Sequence, residues 1–189
     1  MKAFVIDLLK TNLSLFYYYH NPDHTLYVSE KADEIGRYEN CSEKELALLH
    51  AAVFWHDTGF INTYSYHEEE SCLLARQYLP GYGYPDSDIE IICGMIMATK
   101  IPQSPKNKLE EIIADADLEY LGTDNAKKHA DALFKELQYL NPNLSVKEWN
   151  KIQIGFLQKH HYFTNFCINN REPVKLAYLN KLISEQENE

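Results

Sequence analysis

The chain has 189 residues, of which 45% are hydrophobic and 24% charged, and a chain of this kind folds into a globular protein with one sizeable core. Its formal net charge of −10 argues against nucleic acid polymers and membranes as partners, because their phosphate groups are negative as well. The four cysteines show no CxxC pairing, which is typical of reduced thiols, so we expect a cytoplasmic protein.

The N-terminal segment MKAFVIDLLKTNLSLF has the pattern of an amphipathic helix. Asp7 and Lys10 interrupt its apolar run, and no small-residue cleavage site follows, so the pattern is not that of a signal peptide. Helical periodicity, broken by turns rich in Pro, Gly, Asn and Ser, continues along the chain without the alternation typical of strands. The predicted helices are 2–18, 22–38, 43–58, 66–79, 87–99, 107–121, 124–140, 146–168 and 172–187.

These helices predict an all-α fold. The sequence contains no long linker and no internal repeat, so we expect a single domain over residues 1–189. It would be a bundle of eight or nine helices in which those of 124–187 pack on the segment 20–122. Capping residues support the helix starts: the pairs are Asn21 with Pro22, Ser42 with Glu45, Ser65 with Glu68, Ser87 with Glu90 and Ser145 with Glu148.

The second helix carries a histidine in its first turn, within YYYHNPDHTLYV. His24 follows the Asn21 cap by three positions and shares a stripe with Val28 and Ile35, which predicts that it points inward. The positive end of the helix dipole disfavours the imidazolium form. A neutral, inward imidazole is the form that a metal ion needs as a ligand.

The third helix ends in the sequence AAVFWHDTGF. Its residues leave no clearly polar face, so we expect a buried helix with Gly59 as its C-terminal stop. Asp57 then lies at the negative end of the helix dipole, which costs about 0.3–1 kcal/mol, and no lysine or arginine is near it in sequence. A metal ion bound by His56 and Asp57 would supply the missing positive charge.

The sixth helix contains two acidic residues, within ADADLEYLG. Helical spacing places Asp117 on the apolar face, four positions after Ile113, whereas Asp115 falls nearer the opposite side. A buried carboxylate without a partner costs several kcal/mol, so Asp117 needs a cation as Asp57 does. Asp117 is therefore the candidate ligand of the two.

Two imidazoles and two carboxylates are thus available as metal ligands: His24, His56, Asp57 and Asp117. This set suits Mn²⁺, Fe²⁺, Zn²⁺, Co²⁺ or, less well, Mg²⁺. We predict one divalent metal ion per chain and leave a second ion open. The alternative is a group of buried histidines and aspartates in ordinary hydrogen-bonded pairs.

The order of these residues resembles the HD superfamily of metal-dependent phosphohydrolases, small bacterial members above all. The segments that carry the resemblance are YHNPDHTLYV, FWHDTGF, YHEEES, IMATKIPQSP and IADADLEYLG, from about residue 20 to residue 122, and then HHYFTNF. The resemblance implies an all-helical core, a divalent metal and hydrolysis of phosphate esters, often of nucleotides. Some nucleotidases of the superfamily place a glutamate shortly after the HD pair. Phe60 stands there in this chain, so their acid–base assignment does not carry over.

Three further residues are candidates for the site. His67 opens the helix after the HD pair, where it could protonate a leaving oxygen or bind a second metal ion; its HEEE run is otherwise typical of a solvated helix start. His20 precedes His24 by four residues, and Lys100 ends a helix, so both could contact a substrate phosphate. An exposed loop histidine and a lysine that complements a helix C-terminus are the alternatives.

We therefore predict a metal-dependent phosphatase or phosphodiesterase in which Asp57 and His67 are catalytic and His20 and Lys100 bind substrate. The expected substrate is a small phosphorylated metabolite, with nucleotides and cyclic nucleotides favoured. One alternative is a di-iron oxygenase, which would use the additional histidines His20, His50 and His67. Another is a noncatalytic module that senses nucleotides. The oligomeric state is open, and a homodimer is one of the options.

Overall fold

A computed structural model of the chain describes residues 1–187, which fold into α-helices and short 3-10 helices. The α-helices are α1 (Lys2–Asn12), α2 (Pro22–Tyr38), α3 (Glu43–Trp55), α4 (His67–Tyr78), α5 (Asp86–Ala98), α6 (Lys108–Asp117), α7 (Ala126–Leu140), α8 (Val146–Lys159), α9 (Asn165–Asn170) and α10 (Glu172–Glu187). The 3-10 helices are Thr58–Ile61, Leu79–Tyr82 and Glu119–Gly122. No β-strand occurs in residues 1–187, so the predicted all-α fold is confirmed. None of the helices in this range is long and apolar enough to cross a membrane.

The central element of the fold is α3, which packs against α1, α2, α4, α5 and α6. From Leu46 onward its side chains are buried except those of Ala47 and His50, as its lack of a polar face predicts. Because close packing surrounds this helix, the position of its C-terminal end is fixed. His56 and Asp57 follow directly from that end.

The first helix is shorter than the predicted range 2–18. It ends at Asn12, and the next residue has extended backbone angles. The aromatic residues that follow turn away from the helix axis and contact distant parts of the chain. Phe16, for example, stacks on Tyr139 of α7 with ring centroids 4.2 Å apart. Tertiary contacts of this kind override a helical pattern in the local sequence.

The predicted helix 146–168 is divided into two. α8 ends at Lys159, and α9 begins at Asn165 with Thr164 as its cap. Thr164 is held from α6, because the carboxylate of Asp115 accepts hydrogen bonds from its N–H and its hydroxyl. This long-range contact interrupts a stretch that is helical by its local pattern. Residues 1–187 consequently contain more α-helices than the predicted eight or nine.

Three of the predicted caps are confirmed and two are wrong. The Asn21 side chain accepts two N–H groups at the start of α2, and capping boxes start α3 and α8. The pair predicted at Ser65 does not cap α4, which begins after Tyr66 in a left-handed conformation (φ 61°). The pair predicted at Ser87 lies inside α5, because Pro85 with its fixed φ starts that helix earlier.

The C-terminal helices lie against the end of α6. α10 packs on α8, α9 and the 3-10 helix Glu119–Gly122, and α7 contacts the same 3-10 helix. Buried apolar side chains, including Leu121, Leu157 and Leu179, join these elements. Side chains of α7, α8 and α10 line a pocket together with Asp117. The C-terminal helices thus pack on the earlier segment, while the single domain over residues 1–189 stays a prediction.

Candidate metal centre

The turn that follows α3, residues 56–61, is called the HD turn below, and it lies unusually close to α4. A Cβ atom on Gly59 would lie 2.0 Å from the His67 carbonyl oxygen. The Gly59 N–H donates to Ser71 Oγ (2.8 Å), and the Ser71 hydroxyl donates to the His56 carbonyl oxygen (2.6 Å). Gly59 is therefore required by close approach and not by the predicted role as a helix stop, since its φ is not positive.

His56 is oriented by its own helix. Its Nδ1 lies 2.7 Å from the Val53 carbonyl oxygen, so this nitrogen carries the proton of the neutral ring and Nε2 carries the lone pair. Nε2 is buried and has no hydrogen-bond partner. It faces Asp57 Oδ2 at 3.2 Å and Asp117 Oδ1 at 3.6 Å. With a metal ion in place of a proton on Nε2, the neutral ring would present this lone pair to the space between two carboxylates.

His24 reaches the same space from the start of α2. The Asn21 side chain accepts its main-chain N–H and so fixes the first turn of the helix. His24 Nε2 lies 3.0 Å from Asp117 Oδ1 and 3.5 Å from Asp57 Oδ2. The four residues predicted as metal ligands therefore lie together, although α2, the HD turn and α6 contribute them separately.

The spacing of these atoms fits a divalent metal ion. An ion about 2.1 Å from each ligand separates neighbouring ligand atoms by roughly 3.0 Å in octahedral and roughly 3.4 Å in tetrahedral geometry. The four separations between an imidazole Nε2 and a carboxylate oxygen run from 3.0 to 3.6 Å. One ligand atom each of His24, His56 and Asp117 lies within 4.8 Å of the other two. A metal ion would also satisfy Asp57 Oδ2, which is buried without a hydrogen-bond partner.

The ionisation of the cluster favours a cation. Burial lowers the pKa of His56, but the carboxylates of Asp57 and Asp117 outweigh burial and raise that pKa well above its ordinary value. Burial raises the pKa of both carboxyls, yet the neighbouring histidines hold each well below its usual range. Both carboxylates are thus anionic at neutral pH, and a bound cation would neutralise them.

Asp115 lies outside this cluster and has a structural environment of its own. It is fully buried on the other side of α6, where Phe163 and Thr164 contact it. Its carboxylate accepts hydrogen bonds from the Phe163 N–H at 3.0 Å and from the Thr164 N–H and hydroxyl at 2.8 and 2.6 Å. Burial raises the pKa of Asp115 to about 6, although these hydrogen bonds oppose the shift. Asp115 therefore anchors the segment between α8 and α9.

His67 lies beside the cluster at the first position of α4. Its Nε2 is 3.7 Å from Asp57 Oδ1 and 3.6 Å from Glu68 Oε1. Its ring stacks on Phe60, with centroids 3.8 Å apart and planes at 19°. The residue that replaces the glutamate of some nucleotidases thus orients this histidine. Burial lowers the pKa of His67 against the effect of the two carboxylates, which favours the neutral imidazole.

His20 is bound to a buried carboxylate of α7 that sequence reasoning missed. Glu136 Oε1 lies 2.5 Å from His20 Nδ1, and Oε2 accepts the N–H groups of Tyr19 and His20 at 3.0 and 3.1 Å. Burial lowers the pKa of His20, but the hydrogen bond to Glu136 and the negative charges of Asp57, Glu136 and Asp117 together outweigh burial, so the net shift is upward. The two residues are 116 positions apart, and no local pattern connects them.

A pocket of about 450 Å³ opens beside the cluster. Four of the predicted site residues line it: His20, Asp57, His67 and Asp117. Lys100 lines a separate groove on the surface, where its ammonium pairs with Glu69 and lies 4.9 Å from the centre of the Tyr66 ring. Substrate contact by Lys100 stays a prediction, and the structure gives this lysine a carboxylate partner.

Comparisons with known proteins bear on the fold. No family model matches the sequence, and no curated protein is significantly similar to it. Among solved structures, the crystal structure of a predicted HD superfamily hydrolase from an uncultured Thermotogales bacterium matches with a TM-score of 0.60. The match has 18% sequence identity and covers 97% of this chain and 91% of the other. The chain has the fold of an HD superfamily hydrolase.

This HD fold explains why the candidate ligands meet. The central helix α3 delivers His56 and Asp57 at its C-terminal end, and α2 and α6, which pack on α3 and on each other, deliver His24 and Asp117. The likeness at 18% identity concerns the fold, and the chemistry of the site rests on the side-chain geometry described above.

Proposed function

We propose that this chain is a metal-dependent hydrolase that cleaves a phosphomonoester or phosphodiester of a small metabolite. The observation that carries the proposal is the cluster of His24, His56 and Asp117, whose ligand atoms lie within 4.8 Å of one another, with Asp57 Oδ2 at 3.5 and 3.2 Å from the two imidazole nitrogens. The fold shared with a predicted HD superfamily hydrolase supports it. So does the pocket, which gives a substrate access to Asp57 and Asp117.

Each residue has a definite role in this proposal. His24, His56, Asp57 and Asp117 would hold one divalent ion, which supplies a Lewis acid for the phosphoryl group and lowers the pKa of an attacking water. The second oxygen of Asp57, 3.7 Å from His67, would orient that water. His67 would transfer a proton between the site and the substrate. His20, held by Glu136, would donate a hydrogen bond to the phosphate.

The proposed substrates are small molecules, with nucleotides and cyclic nucleotides the class that the resemblance favours. A net charge of −10 and the anionic cluster disfavour polyanions, because each added phosphate meets more repulsion. A screen of nucleotides, cyclic nucleotides and sugar phosphates with Mn²⁺, Mg²⁺, Fe²⁺, Co²⁺ and Zn²⁺ would identify the substrate. Tight nucleotide binding without release of phosphate or nucleoside monophosphate would instead favour a noncatalytic sensor.

The two aspartates of α6 provide a matched test of the metal site. We expect Asp117→Asn to lose the metal and phosphate release, because a neutral amide replaces an anionic ligand. We expect Asp115→Asn to keep the metal, because Asp115 contacts Phe163 and Thr164 and not the cluster. Elemental analysis and phosphate release, with circular dichroism to verify folding, measure the difference. Equal metal content in Asp117→Asn and the wild type would exclude Asp117 as a ligand.

A di-iron oxygenase remains a second candidate because of one contact. His67 Nε2 lies within 3.7 Å of oxygens of Asp57 and Glu68, so these three residues could bind a second ion next to the first. Two iron ions per chain together with substrate-dependent O₂ consumption would support this function. Phosphate release with a single ion per chain would exclude it.

A further inference from the structure

The pocket beside the metal cluster combines two kinds of surface. Asp57, His67 and Asp117 belong to its polar part, which also includes His20, Glu68 and Gln153. The rest is mostly apolar and comes from the C-terminal helices, with Leu133 of α7 and Ile152 and Phe156 of α8 as examples. A ligand that reaches the cluster through this pocket therefore touches hydrocarbon and aromatic side chains as well.

The charges in the pocket limit the ligand further. Among the described residues that line it, none is lysine or arginine, and Asp57, Glu68 and Asp117 are acidic. A phosphate could bind to a metal ion and to histidines at the cluster. Additional phosphates farther along the pocket would lie against apolar side chains, where an unpaired charge is costly. The pocket lining is therefore suited to a ligand that has one phosphate group and is otherwise uncharged.

The apolar part of the pocket is open and is not a gap in the core. Ile152 is 51% exposed, and Leu133 and Phe156 are only partly buried. A packing defect would be enclosed by fully buried side chains. The volume of about 450 Å³ is in the range that binds small organic ligands.

We infer that the substrate is a phosphate ester of an apolar alcohol, whose hydrocarbon or aromatic body is bound by α7 and α8 while its phosphate lies at the metal cluster. This inference rests on the proposed function and narrows its substrate class. It favours esters with an uncharged body over nucleoside di- and triphosphates. Burial of each methylene group should strengthen binding about four-fold.

Phosphonates test the binding step without hydrolysis, because their carbon–phosphorus bond is not cleaved. With the Mn²⁺-loaded protein in a calorimeter, we expect hexylphosphonate to bind at least ten-fold more tightly than methylphosphonate. In hydrolysis assays, hexyl phosphate should have a KM at least ten-fold below that of methyl phosphate, and ATP should be a poorer substrate than either. Equal affinities for the two phosphonates would overturn the inference.

A pair of identical substitutions locates the binding surface. Ile152→Glu introduces a carboxylate into the pocket and should weaken hexylphosphonate binding at least ten-fold without changing methylphosphonate binding. Ile168→Glu is the control, since Ile168 of α9 is similarly exposed (45% against 51%) and lies outside the pocket. The inference would be contradicted if both substitutions weakened hexylphosphonate binding equally, or if neither substitution weakened it.

The same measurements separate this inference from the proposed function. If hexylphosphonate is preferred and Ile152→Glu removes the preference, but no metal supports phosphate release from any ester, the apolar pocket stands and the hydrolase proposal fails. If esters are hydrolysed with no advantage for the hexyl group, the hydrolase proposal stands and the apolar substrate class is wrong.

Discussion

At the scale of single residues, Asp57 is a carboxylate in an unfavourable position, and that position indicates a functional site. A carboxylate at the C-terminal end of a buried helix is unfavourable in two ways, because it opposes the helix dipole and loses its hydration. In the structure His24 and His56 face it at 3.5 and 3.2 Å, but its Oδ2 still lacks a hydrogen-bond partner. Such an atom is costly to the fold and is retained at functional sites, where a ligand satisfies it.

The role of His67 in the reaction can be tested by a single substitution. We expect His67→Ala to leave one metal ion per chain and to lower turnover about 10²–10⁴-fold, the usual contribution of a positioned proton-transfer group. The loss should be smaller for p-nitrophenyl phosphate, whose leaving group needs little protonation. Turnover and elemental analysis on the same preparation check both expectations.

Two other outcomes would each remove this role from His67. A fall in metal content together with turnover would make His67 a ligand of the metal site. Unchanged turnover would make it a helix-start residue without a function in the reaction. His161→Ala is the control, since His161 is an exposed histidine outside the pocket, and neither quantity should change in it.

The residues that periodicity could find are those that point inward from regular helices. His24 and Asp117 fall on apolar stripes, and Asp57 continues the stripe of α3, so their inward direction follows from spacing. Burial does not follow as well, because Asp115, which spacing places nearer the opposite side, is fully buried and Asp117 is only half-buried. The periodicity of the sequence does not identify Ser71 and Glu136. Each acts through one contact with a distant segment, Ser71 with the HD turn and Glu136 with His20, and a single sequence contains no record of such pairs.

At the scale of elements, local patterns predict where helices exist better than where they end. α2 and α7 lie close to their predicted ranges, and the start of α2 is marked by the Asn21 cap. The predicted ranges 2–18 and 146–168 are too long, because Phe16 stacks on Tyr139 and Thr164 is hydrogen-bonded to Asp115. Tertiary contacts end these helices, and helix propensity does not contain that information.

The contact between the HD turn and α4 is the element-level feature that places His67. We expect Gly59→Ala to lower the free energy of unfolding by about 1–3 kcal/mol, the usual cost of overpacking, because the new methyl group would meet the His67 carbonyl oxygen at 2.0 Å. Turnover should fall as well, since α4 must move away from Asp57. Urea unfolding and the hydrolysis assay measure the two effects.

Gly155→Ala is the matched control for this substitution. Gly155 lies within α8, and a Cβ there would meet no atom within 4 Å. The same change should therefore stabilise the protein by roughly 0.5–1 kcal/mol, because alanine favours a helix over glycine. A Gly59→Ala protein as stable as the wild type would show that the HD turn and α4 are not in tight contact.

At the scale of the whole molecule, the C-terminal helices decide what the site can bind. α2, the HD turn and α6 supply the candidate metal ligands, but α7, α8 and α10 supply most of the apolar lining of the pocket. Length and composition indicate one core and a helical chain. They do not show that the last helices cover the metal cluster, because that depends on contacts such as those of α10 with Glu119–Gly122.

The attachment of α10 also introduces a dependence of global stability on pH. Lys175 is fully buried, and its ammonium donates to the His160 carbonyl oxygen at 2.6 Å and lies 3.1 Å from His160 Nδ1. Burial and then the positive charge of Lys175 lower the pKa of His160 to about 3. The folded protein therefore keeps this imidazole neutral in acid, whereas the unfolded chain protonates it near pH 6.5.

The sign of the effect follows from proton binding. Between about pH 6.5 and 3 the unfolded chain binds a proton at His160 that the folded chain does not, so the free energy of unfolding falls as the pH falls.

From pH 7.5 to 5.0 this one group should contribute a loss of roughly 1–2 kcal/mol. His160→Phe should reduce the loss by that amount, even if the variant is less stable at both pH values, while the same substitution at exposed His161 should not. Urea unfolding of the three proteins at the two pH values provides the measurement, and an equal pH dependence in wild type and His160→Phe would show that the folded protein does not hold this imidazole neutral.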